Sequence, residues 1–211
     1  MKDLKVRQKG LLMKDSFDED IKGVVNFIFE ASILQNMQRS GNVFLGSGKQ
    51  TVGAHIFRTI LIGYLLAKMT DGANAEKVML MCLFHDIEET RTGDLNYLQQ
   101  RYVTSDDKRA LKNAVDNLPS KDDILKTVEE YEGLKSLEAK LAKDADTLEL
   151  LFYLKEELDK GNLQAENWIT HAQKRLITET AKKLLPTLKN TKYYDWWYNL
   201  TNDWDKGNKK W

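Results

Sequence analysis

The chain has 211 residues with 32 Lys plus Arg against 32 Asp plus Glu, so it has room for one domain with a sizeable core and a formal net charge of zero. That balance argues against bulk electrostatic binding to a nucleic-acid polymer or an anionic membrane, though a local basic pocket stays open. Hydrophobic content of 42%, mean hydropathy of −0.53, no long apolar stretch, no signal-like N-terminus and one cysteine, Cys82, together point to a soluble protein of a reducing cytoplasm.

Helix formers dominate, period-2 alternation is scarce and only Pro119 and Pro186 interrupt, so the predicted fold is all-α in a single domain, 1–211. Residues 1–15 read as a lead-in, and Ser16 with Glu19 forms a capping-box pattern that starts a helix to about Met37. Glycine-rich "RSGNVFLGSGKQ", Arg39 to Gln50, reads as a loop. A second helix, Val52 to Lys68, is apolar on nearly every side and is expected to be central. A third is expected from Ala75 to Glu89, stopped by "TRTGD", with Gly93 a natural left-handed position. Further helices are expected from Ser105 to near Pro119, after "PSKDD" to Glu130, from Ser136 to Lys160 before Gly161, and from Ala165 to Leu185 before Pro186. Residues 162–211 form a C-terminal helical extension. Its aromatic end, with Tyr193, Tyr194, Trp196, Trp197, Trp204 and Trp211, suits either a subunit interface or packing back on the domain.

The stretch "MLMCLFHDIEETRTGDL", Met79 to Leu95, carries the chemistry. An unbroken apolar run, Val78 to Phe84, with Cys82 as a small buried hydrophobe, ends abruptly in His85, Asp86, Glu88 and Glu89. Buried carboxylates are costly unless paired or bound to metal. Adjacent helical side chains point about 100° apart, so His85 and Asp86 can converge on one ion at a helix edge. Glu89 lies four residues after His85, on the same face, whereas Glu88 reads as a solvated charge. Such an ion needs more ligands. His55, in the most apolar helix, is one candidate. Asp144 and Asp146, at the border of a leucine stripe, are two more, and periodicity does not choose between them. Two imidazoles and two carboxylates suit Mn, Fe, Co, Ni or Zn with positions left for water. His171 falls outside every motif.

The order "AHIFR" … "FHDIEETRTGDL" … "EAKLAKDADTLELL" resembles the HD-domain metal-dependent phosphohydrolases, in particular the branch that includes the 5′-deoxynucleotidases. The branch's "HDxxExxxGD" corresponds to His85, Asp86, Glu89, Gly93 and Asp94. Its "EYE…S.EAK..KDxD" corresponds to residues from Glu130, Tyr131 and Glu132 through Ser136, Glu138, Ala139, Lys140 and Lys143 to Asp144 and Asp146. The likeness runs from about Leu34 to Leu158. It implies that His55, His85, Asp86 and Asp146 hold one divalent ion (Mn, Co, Ni, Fe, Zn or Mg) and that Glu89 and Asp94 are the catalytic acids. It also implies that Arg39 meets the substrate phosphate, with Arg58 either bracing the site or reaching phosphate. Two positions depart from the family pattern: Asn42 where an aromatic residue often stands, and Ala54 where an acidic residue often precedes the first histidine. The implied activity is a phosphomonoesterase acting on nucleoside 5′-monophosphates, in a homodimer. A hydrolase of a phosphodiester, a triphosphate or a guanosine polyphosphate, and a silent nucleotide- or metal-binding protein, are the competing expectations.

Overall fold

The computed structural model describes residues 19–200, 202 and 204–207, so the expected lead-in, the Ser16 cap and Trp211 lie outside the described residues. Among the described residues there is no strand, only an isolated bridge between Gln38 and Thr51, and the architecture is all-α. In order come α1 (19–31), α2 (Asn42–Leu45), α3 (Val52–Lys68), α4 (Ala75–Phe84), α5 (Glu89–Thr92) and α6 (Asp107–Val115). They are followed by α7 (Lys121–Gly133), α8 (Leu137–Asp159), α9 (Gln164–Ala172), α10 (Glu179–Asn190) and α11 (Asp195–Tyr198). None is long and apolar enough to cross a membrane.

Side-chain caps fix several helix starts. The side chains of Thr51, Asn74 and Ser136 accept from the amides of Ala54, Lys77 and Ala139, each at 3.1 Å, and so set the starts of α3, α4 and α8. α8 is the axis of the molecule. Ala139, Leu141, Ala142, Ala145, Leu148 and Leu151 are fully buried in a core shared with α3, α4 and α10. A second core joins α1, α3, α6 and α7 through Val52, Ile56, Val115 and Val128, and a third joins α2, α8 and α9 around Leu45, Leu154 and Ala165.

One glycine sets the distance that matters. A Cβ on Gly63 of α3 would stand 2.7 Å from Cys82 Sγ and 3.1 Å from Val78 on α4. Only a bare backbone lets these two helices close up there; His55 lies in the first turn of α3 and His85 follows the last residue of α4. Cys82 is buried as expected, and burial pushes its thiol well above the ordinary range.

Several boundaries differ from the sequence expectation. The helix expected to Met37 is α-helical only to residue 31 and then tightens into a 3₁₀ turn, Ser32–Gln35. The Arg39–Gln50 loop contains α2 and is closed by Arg39 N to Gln50 O and Val52 N to Met37 O, both 2.9 Å. α3 is not enclosed on all sides, because Phe57, Leu61, Leu65 and Met69, four residues apart, form an exposed stripe. α4 stops at Phe84, so His85 to Glu88 are a turn between α4 and α5, and Gly93, with φ +79°, ends α5. The helix placed at Ala165–Leu185 is two helices with a 3₁₀ turn between them, and Pro186 lies inside α10 instead of ending it. Pro186 is on the exposed face, where water can take the carbonyl that its missing N–H releases. The C-terminal aromatics pack on one another: Tyr198 stacks on Trp204 and stands edge-to-face to Tyr194 and Trp197.

Candidate metal centre and active site

His55 enters from the first turn of α3 and His85 from the residue that ends α4. Their Nε2 atoms face each other at 3.3 Å in a buried space. Asp86 Oδ2 lies 3.3 Å from His85 Nε2 and 3.6 Å from His55 Nε2. Asp146 Oδ1, from α8, lies 3.4 Å from His55 Nε2, while its other oxygen takes Lys143 Nζ at 2.8 Å. Bonds of about 2.1 Å to a common ion put neighbouring ligand atoms roughly 3.0–3.4 Å apart, from octahedral to tetrahedral geometry. Three of the four spacings fall in that range, and the fourth, His55 Nε2 to Asp86 Oδ2 at 3.6 Å, lies just beyond it. Among the described residues, His55, His85 and Asp86 form the mutually close donor set, and Asp146 adjoins it through His55.

The hydrogen bonds on the far side of each ring show what the site is built for. His85 Nδ1 faces the Cys82 carbonyl at 2.9 Å, and His55 Nδ1 faces Glu149 Oε2 at 2.6 Å. A carbonyl and a carboxylate only accept, so each imidazole in its neutral form carries its proton on Nδ1 and leaves an Nε2 lone pair facing the other. Two lone pairs and two carboxylates in so small a space require a cation. With no ion bound, a proton on His55 meets part of that demand. Burial and Arg39 press His55 down, yet hydrogen bonds to Asp146 and Glu149 outweigh them and hold it up at about 9. Burial presses His85 down, and Asp146, despite burial, is held well below the carboxylate range by His55 and Lys143.

Sequence reasoning missed Glu149. Wholly buried, it accepts from His55, from Gln50 Nε2 at 2.6 Å and from Arg58 Nε at 2.8 Å. It lies one turn beyond Asp146 on α8, and that spacing is the signal that could have found it. It also answers the Ala54 departure, since it supplies the carboxylate that orients His55. Arg58 has both ends of its guanidinium committed, to Glu149 and to Glu156, and it lines a different depression. It therefore braces Glu149, in contrast to the phosphate contact that was the other expectation. Asp144, left open beside Asp146 by periodicity, is fully buried elsewhere: it accepts from the amides of Ile177 and Thr178 and from Thr178 Oγ, at 2.6–2.7 Å.

Arg39 Nη1 stands 3.7 Å from Asp86 Oδ2, at the mouth of the cluster, and the charges of Asp86, Asp146 and Asp94 raise its pKa despite burial. Asp94 is fixed across the cleft by the Ser40 amide. Glu89 is half-buried, and burial, then the charges of Asp86 and Asp94, push its carboxyl up to about 9. Glu88 is not the solvated charge expected of it. It is half-buried, its Oε2 has no partner among the described residues, and burial pushes its carboxyl up to about 8. A cavity of about 550 Å³ opens from this cluster, bounded by Arg39, Asp94 and Asp146 at one end and by Trp168 and Arg175 at the other. His171 is exposed and touches only the outer rim near Trp168.

Comparison with known proteins agrees with this geometry. A family model described as an HD domain matches residues 31–189. The chain is 30% identical over 150 residues to the 5′-deoxynucleotidase HDDC2 of Dictyostelium discoideum, covering 64% of this chain and 77% of that one. It is 28% identical over 127 residues to the 5′-deoxynucleotidase YfbR of Escherichia coli, covering 54% of this chain and 63% of that one. Its fold superposes on PH0347 of Pyrococcus horikoshii OT3 with a TM-score of 0.66 over 79% of this chain and 98% of that one, at 22% identity. The family match spans well over half of the chain and brackets every residue of the cluster, so this chain belongs to the HD-domain metal-dependent phosphohydrolases.

Proposed function

We propose that the protein is a phosphomonoesterase that releases inorganic phosphate from nucleoside 5′-monophosphates. The observation that carries this reading is the placement of Arg39 and Asp94 with Asp146 at one end of the cavity beside the His55, His85 and Asp86 cluster, with Asp94 also lining the adjoining depression that holds Glu89. His55, His85, Asp86 and Asp146 would hold a divalent ion, which would supply positive charge beside the phosphoryl group and make water more acidic. Arg39 takes two phosphate oxygens with its fork of donors, which fixes the phosphorus in line with the approaching water. Asp94, anchored by the Ser40 amide, orients that water and accepts its proton. The water oxygen bonds to phosphorus as the bond from phosphorus to the 5′ oxygen breaks. Glu89, the more secluded acid, delivers a proton to the leaving 5′ oxygen, giving a nucleoside and inorganic phosphate. Glu149 and Arg58 act through His55 by holding its ring. The 5′-deoxynucleotidase names of two relatives support the substrate class.

The test is phosphate release from a panel of ribo- and deoxyribonucleoside 5′-monophosphates after chelation, and again with Mn, Co, Ni, Zn or Mg restored. The expected result is release that depends on metal and falls at least a hundredfold in Asp86→Ala. Release that survives both chelation and that substitution would overturn the reading.

A further inference from the structure

Beyond the phosphate end, the cavity changes character in an ordered way. The far end holds Trp168, Leu150, Tyr97 and Arg175. Trp168 is half-buried and packs on the core around Leu45 and Leu154. Arg175 makes no ion pair among the described residues; it donates from Nη1 to Tyr97 Oη at 2.9 Å, a bond that ties the segment after α5 to the end of α9. The acids that line this cavity, Asp94 and Asp146, are both at the phosphate end. The far end therefore offers an aromatic plane and an unneutralised guanidinium.

We propose that this far end is a base-recognition subsite, with Trp168 the stacking platform and Arg175 the reader of an acceptor-rich base edge. The proposal deepens the phosphomonoesterase reading and rests on it for the placement of the phosphate. A phosphate at one end and a flat base at the other match the two ends of the cavity. A guanidinium has five donors and no acceptor. It pairs two-pronged with the O6 and N7 acceptors of guanine, whereas adenine sets an amino donor in place of O6. The subsite thus selects guanine over adenine nucleotides. The sequence gives no warning of it, since Tyr97, Trp168 and Arg175 lie outside every motif and meet only through the chain's return in α9.

The experiment has two arms. In the first, kcat/KM is measured with GMP, dGMP, AMP and dAMP on the metal-loaded protein and on Arg175→Met, an exposed site whose change leaves the core intact. The expected result is about a tenfold or greater preference for the guanine substrates that shrinks to about twofold or less in Arg175→Met. In the second, calorimetric binding of GMP and AMP to the chelated protein reads the subsite without turnover. Tighter GMP binding that disappears in Arg175→Met upholds the subsite even if neither nucleotide is hydrolysed, an outcome that would remove only the phosphomonoesterase reading. Equal binding and equal turnover of the two bases, or an equal fall in both for Arg175→Met, overturns the proposal whether or not phosphate is released.

Discussion

Glu149→Gln tests how the metal centre is assembled, because it changes one atom in a wholly buried side chain. Glu149 has two oxygens and three donors aimed at them: His55 Nδ1 at one, and Gln50 Nε2 with Arg58 Nε at the other. Glutamine keeps one oxygen. The cationic Arg58 and the Gln50 amide claim it, which turns the new NH₂ toward His55. The ring must then accept at Nδ1 and carry its proton on Nε2, the nitrogen that faces Asp86, Asp146 and the ion. Metal affinity should fall about 10- to 100-fold, the usual cost of losing such a partner, or about 1.4–2.7 kcal/mol. The amide is close in shape to the carboxylate and Arg58 keeps Glu156, so the fold should survive. The assay is titration calorimetry of Mn²⁺ into chelated wild type and variant, with a cooperative thermal transition as the folding control. A folded variant that binds Mn²⁺ within about twofold of wild type would refute the argument that Glu149 sets the tautomer of His55.

Two further predictions concern carboxylates outside the metal cluster. Asp144→Ala removes the acceptor for two backbone amides and the Thr178 hydroxyl at the start of α10, and should destabilise the fold by about 3–5 kcal/mol while leaving Mn²⁺ affinity unchanged, read by denaturant unfolding beside calorimetry. Burial pushes the Asp159 carboxyl up, but Lys155, Lys192 and the Tyr193 amide outweigh it and hold it below the ordinary range. Its contribution to stability is therefore complete above the unfolded value of about 4 and is lost as pH falls through its lower folded value, so Asp159→Asn should flatten the acid limb of a Tm-against-pH profile.

What was legible in the sequence was local chemistry and period. An apolar run that ends without a spacer in "HDIEE" announces polar groups at the edge of a core, because unpaired carboxylates are not buried. The 3.6-residue pattern sets out an all-α chain, and caps such as Ser136 mark where helices begin. Periodicity could not separate Asp144 from Asp146, since both border the same leucine stripe; what differs is the neighbour, the start of α10 for one and His55 for the other. Nor could it show that Glu88 would be half-buried, because the turn at His85 to Glu88 swings side chains off the path of an ideal helix. The length of the Ala165 helix was misjudged because proline signals a stop from its own backbone alone, while a solvent-facing carbonyl makes Pro186 tolerable inside α10. The partners of Glu149 and Arg58 were out of reach for the same reason as the meeting of Trp168 and Arg175: each involves another element, many residues away. Sequence determined which groups this protein carries and the helices that hold them. The approach of α3, α4 and α8, which Gly63 permits where α3 meets α4, decided which of those groups share a site, because hydrogen bonds and coordination depend on ångström distances that local periodicity does not encode.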